Sequence, residues 1–155
     1  MRGPNVFPGY WNLPEKTAEE LGPDGWFVTG DLGVLSEDGY LSIVGRQKDL
    51  VISGGYNVYP KEVEEALDDQ PGVLESAVFG VPHPDMGEGV VAVVVPEPGA
   101  APDPEALRAA LADRLARYKQ PRHVHVLDAL PRNAMGKVQK NVLRDRYADA
   151  FAPAG

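Results

Sequence analysis

The sequence contains no cysteine and only three histidines. The absence of cysteine excludes disulfide bonds and thiolate metal sites. His123 and His125 alternate along a predicted strand, and His83 stands apart. A metal site needs more convergent ligands than these residues supply, so we interpret them as surface or packing histidines. We expect no metal ligands in the chain.

Long apolar segments are also absent from the sequence. No run reaches the ~20 apolar residues that span a bilayer. The first residues lack the apolar core of a signal peptide. We therefore expect no membrane partner and a cytoplasmic location.

Basic residues are few relative to acidic ones. The chain has 15 Lys and Arg against 23 Asp and Glu, which gives a formal charge of −8. This balance argues against a nucleic-acid partner, because phosphate backbones are bound by clustered cations. A small phosphate-bearing ligand remains compatible, since such a site needs only a few local cations or backbone N–H groups.

The first 45 residues are rich in turn residues and aromatic side chains. Patterns there predict a short helix at 15–21, a strand at 26–29, and a hairpin of strands 32–35 and 40–44. These residues hold too few apolar positions to close a core of their own. We therefore expect residues 1–45 to be the β-rich end of a larger domain.

From residue 46 onward, apolar periodicity changes along the chain. It predicts strands at 49–53, 73–81, 89–96 and 123–127. Helices are predicted after Pro60 and after an Asp103 cap, and a last helix follows the loop 131–136. The expected buried helical positions are Val63, Ala66, Leu67, Leu107, Leu111, Leu115, Leu143, Tyr147 and Phe151. This order predicts an α+β domain with a mixed sheet flanked by helices.

Three segments carry residues suited to chemistry, and each has an ordinary alternative. Asp31 follows a glycine at a strand end. A carboxylate there either accepts hydrogen bonds from the two hydroxyls of a ribose or caps a turn. The stretch 45–64 combines a charged turn with Gly54-Gly55, which permits close backbone approach or forms a plain glycine loop. Lys137 follows Gly136 on a loop expected to be mobile, where it serves a phosphate or is only solvated.

The order and spacing of these segments resemble the late core motifs of the adenylate-forming superfamily. That superfamily contains acyl-CoA synthetases, peptide-synthetase adenylation domains and luciferases. The resemblance covers essentially the whole chain, including Gly9-Tyr10-Trp11. The stretches Ser-Gly-Gly-Tyr-Asn-Val-Tyr-Pro-Lys-Glu-Val-Glu, Arg-Gly-Pro-Asn-Val-Phe and Gly-Val-Pro-His-Pro-Asp are most similar to malonyl-CoA synthetases.

The resemblance implies roles for particular residues. Asp31 and Arg46 correspond to residues that bind the adenosine ribose. Lys48 corresponds to the hinge position about which the domain rotates between two half-reactions. Lys137 corresponds to the lysine that contacts the acyl carboxylate and α-phosphate, and to a target of reversible acetylation. Ser53, Gly54 and Gly55 correspond to the loop that lines the passage for the pantetheine arm of coenzyme A.

The same resemblance implies a domain organisation. Residues 1–45 would end the large N-terminal domain, residues 46–49 would form the hinge, and residues 50–155 would form a small mobile C-terminal lid. The family's phosphate loop, Mg-binding glutamate and acyl pocket do not occur in the sequence. We therefore expect this piece to be inactive alone and to act with the N-terminal domain of the same enzyme.

The implied function is that of an ATP-dependent acid–CoA ligase with an acyl-AMP intermediate. ATP and coenzyme A would be co-substrates, and Mg²⁺ would be bound mainly by the N-terminal domain. The expected acid is malonate or methylmalonate, with another short- or medium-chain acid as the alternative. A different alternative is an isolated lid that serves as a lysine-acetyltransferase substrate or binding module.

Overall fold

A computed structural model describes residues 1–152, so the last three residues of the predicted domain 50–155 lie outside the described part. Two compact units make up the chain, Met1–Asp31 and Leu32–Gly155. The predicted boundary after residue 45 and the hinge at 46–49 concern movement within a longer enzyme. They stay predictions.

The first unit contains one helix, α1 (Pro14–Glu20). It has proline in its first turn, where the missing N–H costs nothing. The helix predicted at 15–21 is confirmed. The strand predicted at 26–29 is wrong, because only Phe27 makes a bridge, to Leu21. Gly30, with φ of 70°, turns the chain before a ladder can extend.

The predicted hairpin forms the start of the second unit, except for Asp31, which ends the first unit. Strands β1 (Asp31–Leu35) and β2 (Leu41–Arg46) form a two-stranded sheet. The loop between them is closed by a hydrogen bond, in which the N–H of Ser36 donates to the carbonyl of Tyr40 at 2.9 Å. Every residue of both strands is at least partly exposed. This exposure agrees with the expectation that the hairpin belongs to a larger domain, which stays a prediction.

A mixed sheet follows, as the sequence predicts, but it has five strands instead of the four expected. Its strands are β3 (Val51–Ser53), β4 (Tyr56–Val58), β5 (Val73–His83), β6 (Gly87–Pro96) and β7 (His123–Val126). Strand β6 is central: it pairs antiparallel with β5 and β3 and parallel with β7. The sequence reading missed β4, which has only three residues. It also started β3 too early, because residues 47–49 form a 3₁₀ turn.

Three helices cover the sheet: α2 (Pro60–Asp68), α3 (Pro104–Ala112) and α4 (Lys140–Arg146). Asp103 caps α3 by accepting bonds from the N–H groups of Glu105 and Ala106, as predicted. Both α3 and α4 end earlier than the apolar spacing suggests. Leu115 is nevertheless 8% exposed and packs in the core from beyond the end of α3.

The sheet separates two hydrophobic cores. The first core lies under α2 and α3 and includes Val51, Val58, Val63, Leu67, Val90, Ala92, Val94, Leu107 and Leu111. The second core lies under α4 and contains Ala77, Phe79, Val81, Val91, Val93, Val95, Leu130 and Leu143. Alternate residues of β6 enter opposite cores, which explains why this strand is a continuous apolar run.

A helix long and apolar enough to cross a membrane is not found within residues 1–152.

Candidate functional site

Lys137 lies on a tight loop that Asn133 holds closed. The backbone N–H of Asn133 donates to the carbonyl of Lys137 at 2.9 Å. Its side-chain Oδ1 accepts from the N–H groups of Met135 and Lys137, at 3.0 and 2.9 Å. Gly136 takes a φ of 78°, which favours glycine at that point. The loop is therefore a closed turn with defined geometry, and its mobility stays a prediction.

The base of this turn is fixed to the sheet. Arg132 forms a β-bridge with Val138 and an ion pair with Glu75. Arg132 Nη1 also donates to the carbonyl of Gly136 at 2.7 Å. The side chain of Lys137 is exposed, and no described carboxylate forms an ion pair with it. The turn thus presents an ammonium group to solvent from a fixed backbone.

Gly54 and Gly55 form the two-residue loop of the β3–β4 hairpin. Ser53 and Tyr56 pair across it, and the glycines have φ of 58° and 83°. Positive φ at both central positions is typical of a type I′ turn, which glycine adopts without strain. A Cβ on Gly55 would meet nothing within 4 Å, whereas one on Gly54 would lie 3.2 Å from Met86. The turn therefore exposes bare backbone, while Ser53 behind it is 2% exposed.

Beside this turn lies a surface cavity that sequence reasoning missed. Its volume is about 380 Å³, and it is lined by Tyr56, Met86, Arg117, Tyr118 and Arg122. The two tyrosine rings stack at 4.7 Å. Within the described part of the chain, neither arginine forms an ion pair with a carboxylate. The tyrosines and arginines that line the cavity are visible in the sequence. Tyr56 and Tyr118 are 62 positions apart, so no local pattern brings them together.

The predicted hinge is a short helical turn next to α4. Residues 47–49 form the 3₁₀ turn, and Arg46 and Lys48 are exposed. Asp49 forms an ion pair with Arg144, in which Arg144 Nη2 donates a hydrogen bond to Asp49 Oδ1 at 3.0 Å. Asp31, the other predicted ribose-binding residue, is the first residue of β1, and its N–H donates to Thr29 Oγ1 at 3.2 Å.

The glycine turn and the Lys137 turn belong to different sides of the sheet. Tyr118, which stacks on Tyr56 beside the glycines, packs against the first core. Leu130 and Val138, which flank the Lys137 turn, pack in or against the second core. Two exposed turns with different chemistry, one cationic and one bare backbone, are thus supported by opposite faces of one sheet.

The histidines pack among aromatic rings. His83 and His123 both lie 4.8 Å from the ring of Phe151, and His125 stacks on Tyr147 at 4.3 Å. Burial, together with neighbouring positive groups, lowers the pKa of His125. Its Nε2 is buried without a hydrogen-bond partner among the described residues. A group of three or more His, Asp or Glu side chains placed for a metal ion is not found in residues 1–152.

Comparison with known proteins identifies relatives of this domain. The family described as the AMP-binding enzyme C-terminal domain matches residues 62–137. A 3-[(3aS,4S,7aS)-7a-methyl-1,5-dioxo-octahydro-1H-inden-4-yl]propanoyl:CoA ligase from Rhodococcus jostii is 52% identical over 94% of this chain and 28% of that protein. A feruloyl-CoA synthase from an Amycolatopsis species is 50% identical over 95% of this chain and 30% of that protein.

A solved structure is similar over nearly the whole chain. It is ATP-bound MatB from Rhodopseudomonas palustris, with 58% sequence identity and a TM-score of 0.87. The likeness covers 97% of this chain and 30% of the MatB chain. This chain therefore spans less than a third of the length of the relatives that it matches.

Proposed function

We propose that the chain is the C-terminal part of an ATP-dependent acyl-CoA ligase, because residues 62–137 match the family described as the AMP-binding enzyme C-terminal domain. The enzyme would first join a carboxylate to the α-phosphate of ATP, which gives acyl-AMP and releases pyrophosphate. It would then transfer the acyl group to the thiol of coenzyme A and release AMP. Both steps would use this chain together with an upstream domain.

One observation carries the proposal. The Lys137 turn and the Gly54-Gly55 turn are supported by opposite cores of the same sheet. Two successive reactions at one upstream site need two different protein surfaces, and a domain that rotates brings each surface to that site in turn. Lys48, in the predicted hinge 46–49, would be the pivot between residues 1–45 and the lid.

In the first half-reaction Lys137 would act on the reacting groups. A carboxylate oxygen attacks the α-phosphorus, the bond to pyrophosphate breaks, and negative charge accumulates where two anions meet. The Lys137 ammonium, on a turn fixed by Asn133, would stabilise that charge. Asp31 and Arg46 would hold the ribose of the nucleotide. Mg²⁺ would be bound mainly by the upstream domain.

In the second half-reaction the glycine turn would face the upstream site. The thiolate of coenzyme A attacks the acyl carbon, and AMP leaves. Gly54 and Gly55, with Ser53 behind them, would line the passage of the pantetheine arm because bare backbone permits close approach. The adjoining cavity has stacked tyrosines and two arginines that pair with no carboxylate among residues 1–152. It would take the adenine and phosphates of coenzyme A.

For the acid, we propose malonate or methylmalonate. The support is the 58% identity with MatB, a malonyl-CoA synthetase. The names of other relatives point to different acids, so another acid is the second candidate. Pyrophosphate release by the full-length enzyme, measured with malonate, methylmalonate, acetate and ferulate, separates them. Release with another acid but none with malonate or methylmalonate would refute the malonate assignment.

The role of Lys137 is tested by separating the half-reactions. In the full-length enzyme, Lys137→Ala should lower acyl-AMP formation by about 10²–10³-fold, the usual cost of one such electrostatic contact. Thioester formation from preformed acyl-AMP should be unchanged. Equal loss of both steps would contradict the assignment of Lys137 to one surface.

A regulatory role is proposed for the same residue. Lys137 is exposed on a turn, so a lysine acetyltransferase has access to its ammonium group. Acetylation removes the charge and should block only the first half-reaction. Mass spectrometry after incubation with an acetyltransferase and acetyl-CoA tests this. Acetylation found only at lysines other than Lys137 would refute it. The same assay on the isolated chain tests the alternative of an inactive acetyltransferase substrate.

A further inference from the structure

The predicted hinge is connected to α4 by an ion pair that sequence reasoning did not anticipate. Arg144 Nη2 lies 3.0 Å from Asp49 Oδ1, and the side chains are 30% and 21% exposed. The two residues are 95 positions apart in sequence. Asp49 ends the 3₁₀ turn 47–49, and Arg144 lies in the last turn of α4.

The other end of α4 is held as firmly. Lys140, its first residue, pairs with Glu64 at 2.6 Å, with side chains 18% and 19% exposed. Glu64 Oε1 also accepts the backbone N–H of Val78 on β5 at 2.8 Å. Between the two ion pairs Leu143 is 1% exposed in the second core. The helix is therefore fixed at its start, its middle and its end.

The start of α4 adjoins the Lys137 turn. Val138 forms the bridge with Arg132 that closes the turn, and the N–H of Gln139 donates to the carbonyl of Pro131 at 2.8 Å. A cavity of about 360 Å³ lies between the hinge and this part of the chain. It is lined by Lys48, Asp49, Val138, Lys140, Asn141 and Arg144. A continuous path of contacts thus runs from Asp49 through α4 to Lys137.

We propose that Arg144 is a positioning residue for the acyl-AMP step. Its pair with Asp49 fixes α4 against the hinge, so that rotation of the hinge delivers the Lys137 ammonium to a defined place. The inference rests on the function proposed above, because it takes Lys137 as the group that acts on the phosphate. The glycine turn is supported by the first core, not by α4, so thioester formation does not depend on this ion pair.

The test compares half-reactions in the full-length enzyme. Arg144→Gln should lower acyl-AMP formation between about 10- and 100-fold, the scale of cost for a misplaced group remote from the chemistry. Thioester formation from preformed acyl-AMP should remain within twofold of the parent enzyme. The matched control is Arg114→Gln, which breaks a 2.7 Å pair with Asp69 on the α2–α3 side. This control should leave both steps unchanged.

A double-mutant cycle identifies the partner. Asp49→Asn should resemble Arg144→Gln, and the double variant should be no slower than either single variant, because both remove one interaction. Arg144→Lys, which keeps the positive charge, should restore most of the rate. Additive losses, equal loss of both half-reactions, or an effect no larger than that of Arg114→Gln would overturn the proposal.

Failure of this inference is distinguishable from failure of the proposed function. If Lys137→Ala blocks acyl-AMP formation and Arg144→Gln does not, only the positioning role is wrong. If Lys137→Ala leaves that step intact, the proposed function of the turn is wrong, and the positioning role is overturned with it. Circular dichroism of each variant at the assay temperature checks that the comparison is made between folded proteins.

Discussion

Replacing Gly55 by alanine has two expected effects: backbone strain, which lowers stability, and narrowing of the proposed pantetheine passage, which slows thioester formation. Gly55 has φ of 83°, where a Cβ meets nothing within 4 Å. Adding a methyl group therefore creates no clash, and the cost arises from the left-handed backbone alone, about 1–2 kcal/mol. Alanine also restricts the unfolded chain, which returns about 0.4–1 kcal/mol. We expect a net loss of about 1 kcal/mol in the free energy of unfolding.

Gly99 provides a matched control for this substitution. It has the same φ of 83° and the same open space where a methyl group would be added, and it lies in the loop before α3. Gly99→Ala and Gly55→Ala should therefore lower stability equally, by about 2–4 °C in Tm for a chain of this size. In the full-length enzyme only Gly55→Ala should slow thioester formation, because only that methyl group narrows the proposed passage.

A third variant completes the experiment. Asparagine tolerates the left-handed region better than alanine, so Gly55→Asn should recover much of the lost stability. Its larger side chain should slow thioester formation further, so that stability and rate change in opposite directions. Urea denaturation of the chain and thioester formation from preformed acyl-AMP are the two measurements. If the rate followed stability across the three variants, obstruction by a side chain would be the wrong explanation.

Three further predictions concern the packing of the domain. Asn133→Ala should destabilise the chain by about 1–2 kcal/mol in urea denaturation, because two N–H groups, one of them that of Lys137, lose their acceptor. Gly89→Ala should cost about 1–3 kcal/mol by the same assay, since its methyl group would lie 2.2 Å from Phe151 and the ring would have to move. Burial lowers the folded-state pKa of His125 below 6.5, so the unfolded chain binds the proton more readily; stability should be complete above about pH 6.5 and fall as the pH drops through the folded-state pKa. A pH series of urea midpoints checks this, and a smaller pH dependence in His125→Gln would assign it to that residue.

Long elements with regular patterns could be predicted from the sequence. Strand β6 was recognisable as an uninterrupted apolar run, and α3 by its Asp103 cap and apolar spacing. The mixed sheet was also predicted correctly. Short elements were not accessible in this way: β4 has three residues after a glycine pair, and its pairing with β3 is what defines it. The strand at 26–29 had suitable residues but no partner ladder.

The individual site residues could be nominated from motifs, but their surroundings could not. The resemblance to adenylate-forming enzymes indicated Lys137, whereas the clamp that Asn133 makes around the turn depends on backbone geometry. The cavity beside Gly55 joins residues from separate parts of the chain, so no local pattern indicates it. The pair between Asp49 and Arg144 spans 95 positions. Contacts of this kind depend on the tertiary fold, which local periodicity does not encode.

Strand β6 has a consequence for exchanging segments between related ligases. Its alternate side chains belong to different cores, so Val91 and Val93 fit one set of neighbours and Ala92 and Val94 fit another. A crossover placed just after β7 would bring in a foreign Lys137 turn with α4, and those must match the second-core side chains of β5 and β6 and the ion-pair partners Asp49, Glu64 and Glu75. The proposed coenzyme A surface would keep its original neighbours. Chimeras joined at that point should fold more often than chimeras joined within β6, where both sets of neighbours are disrupted.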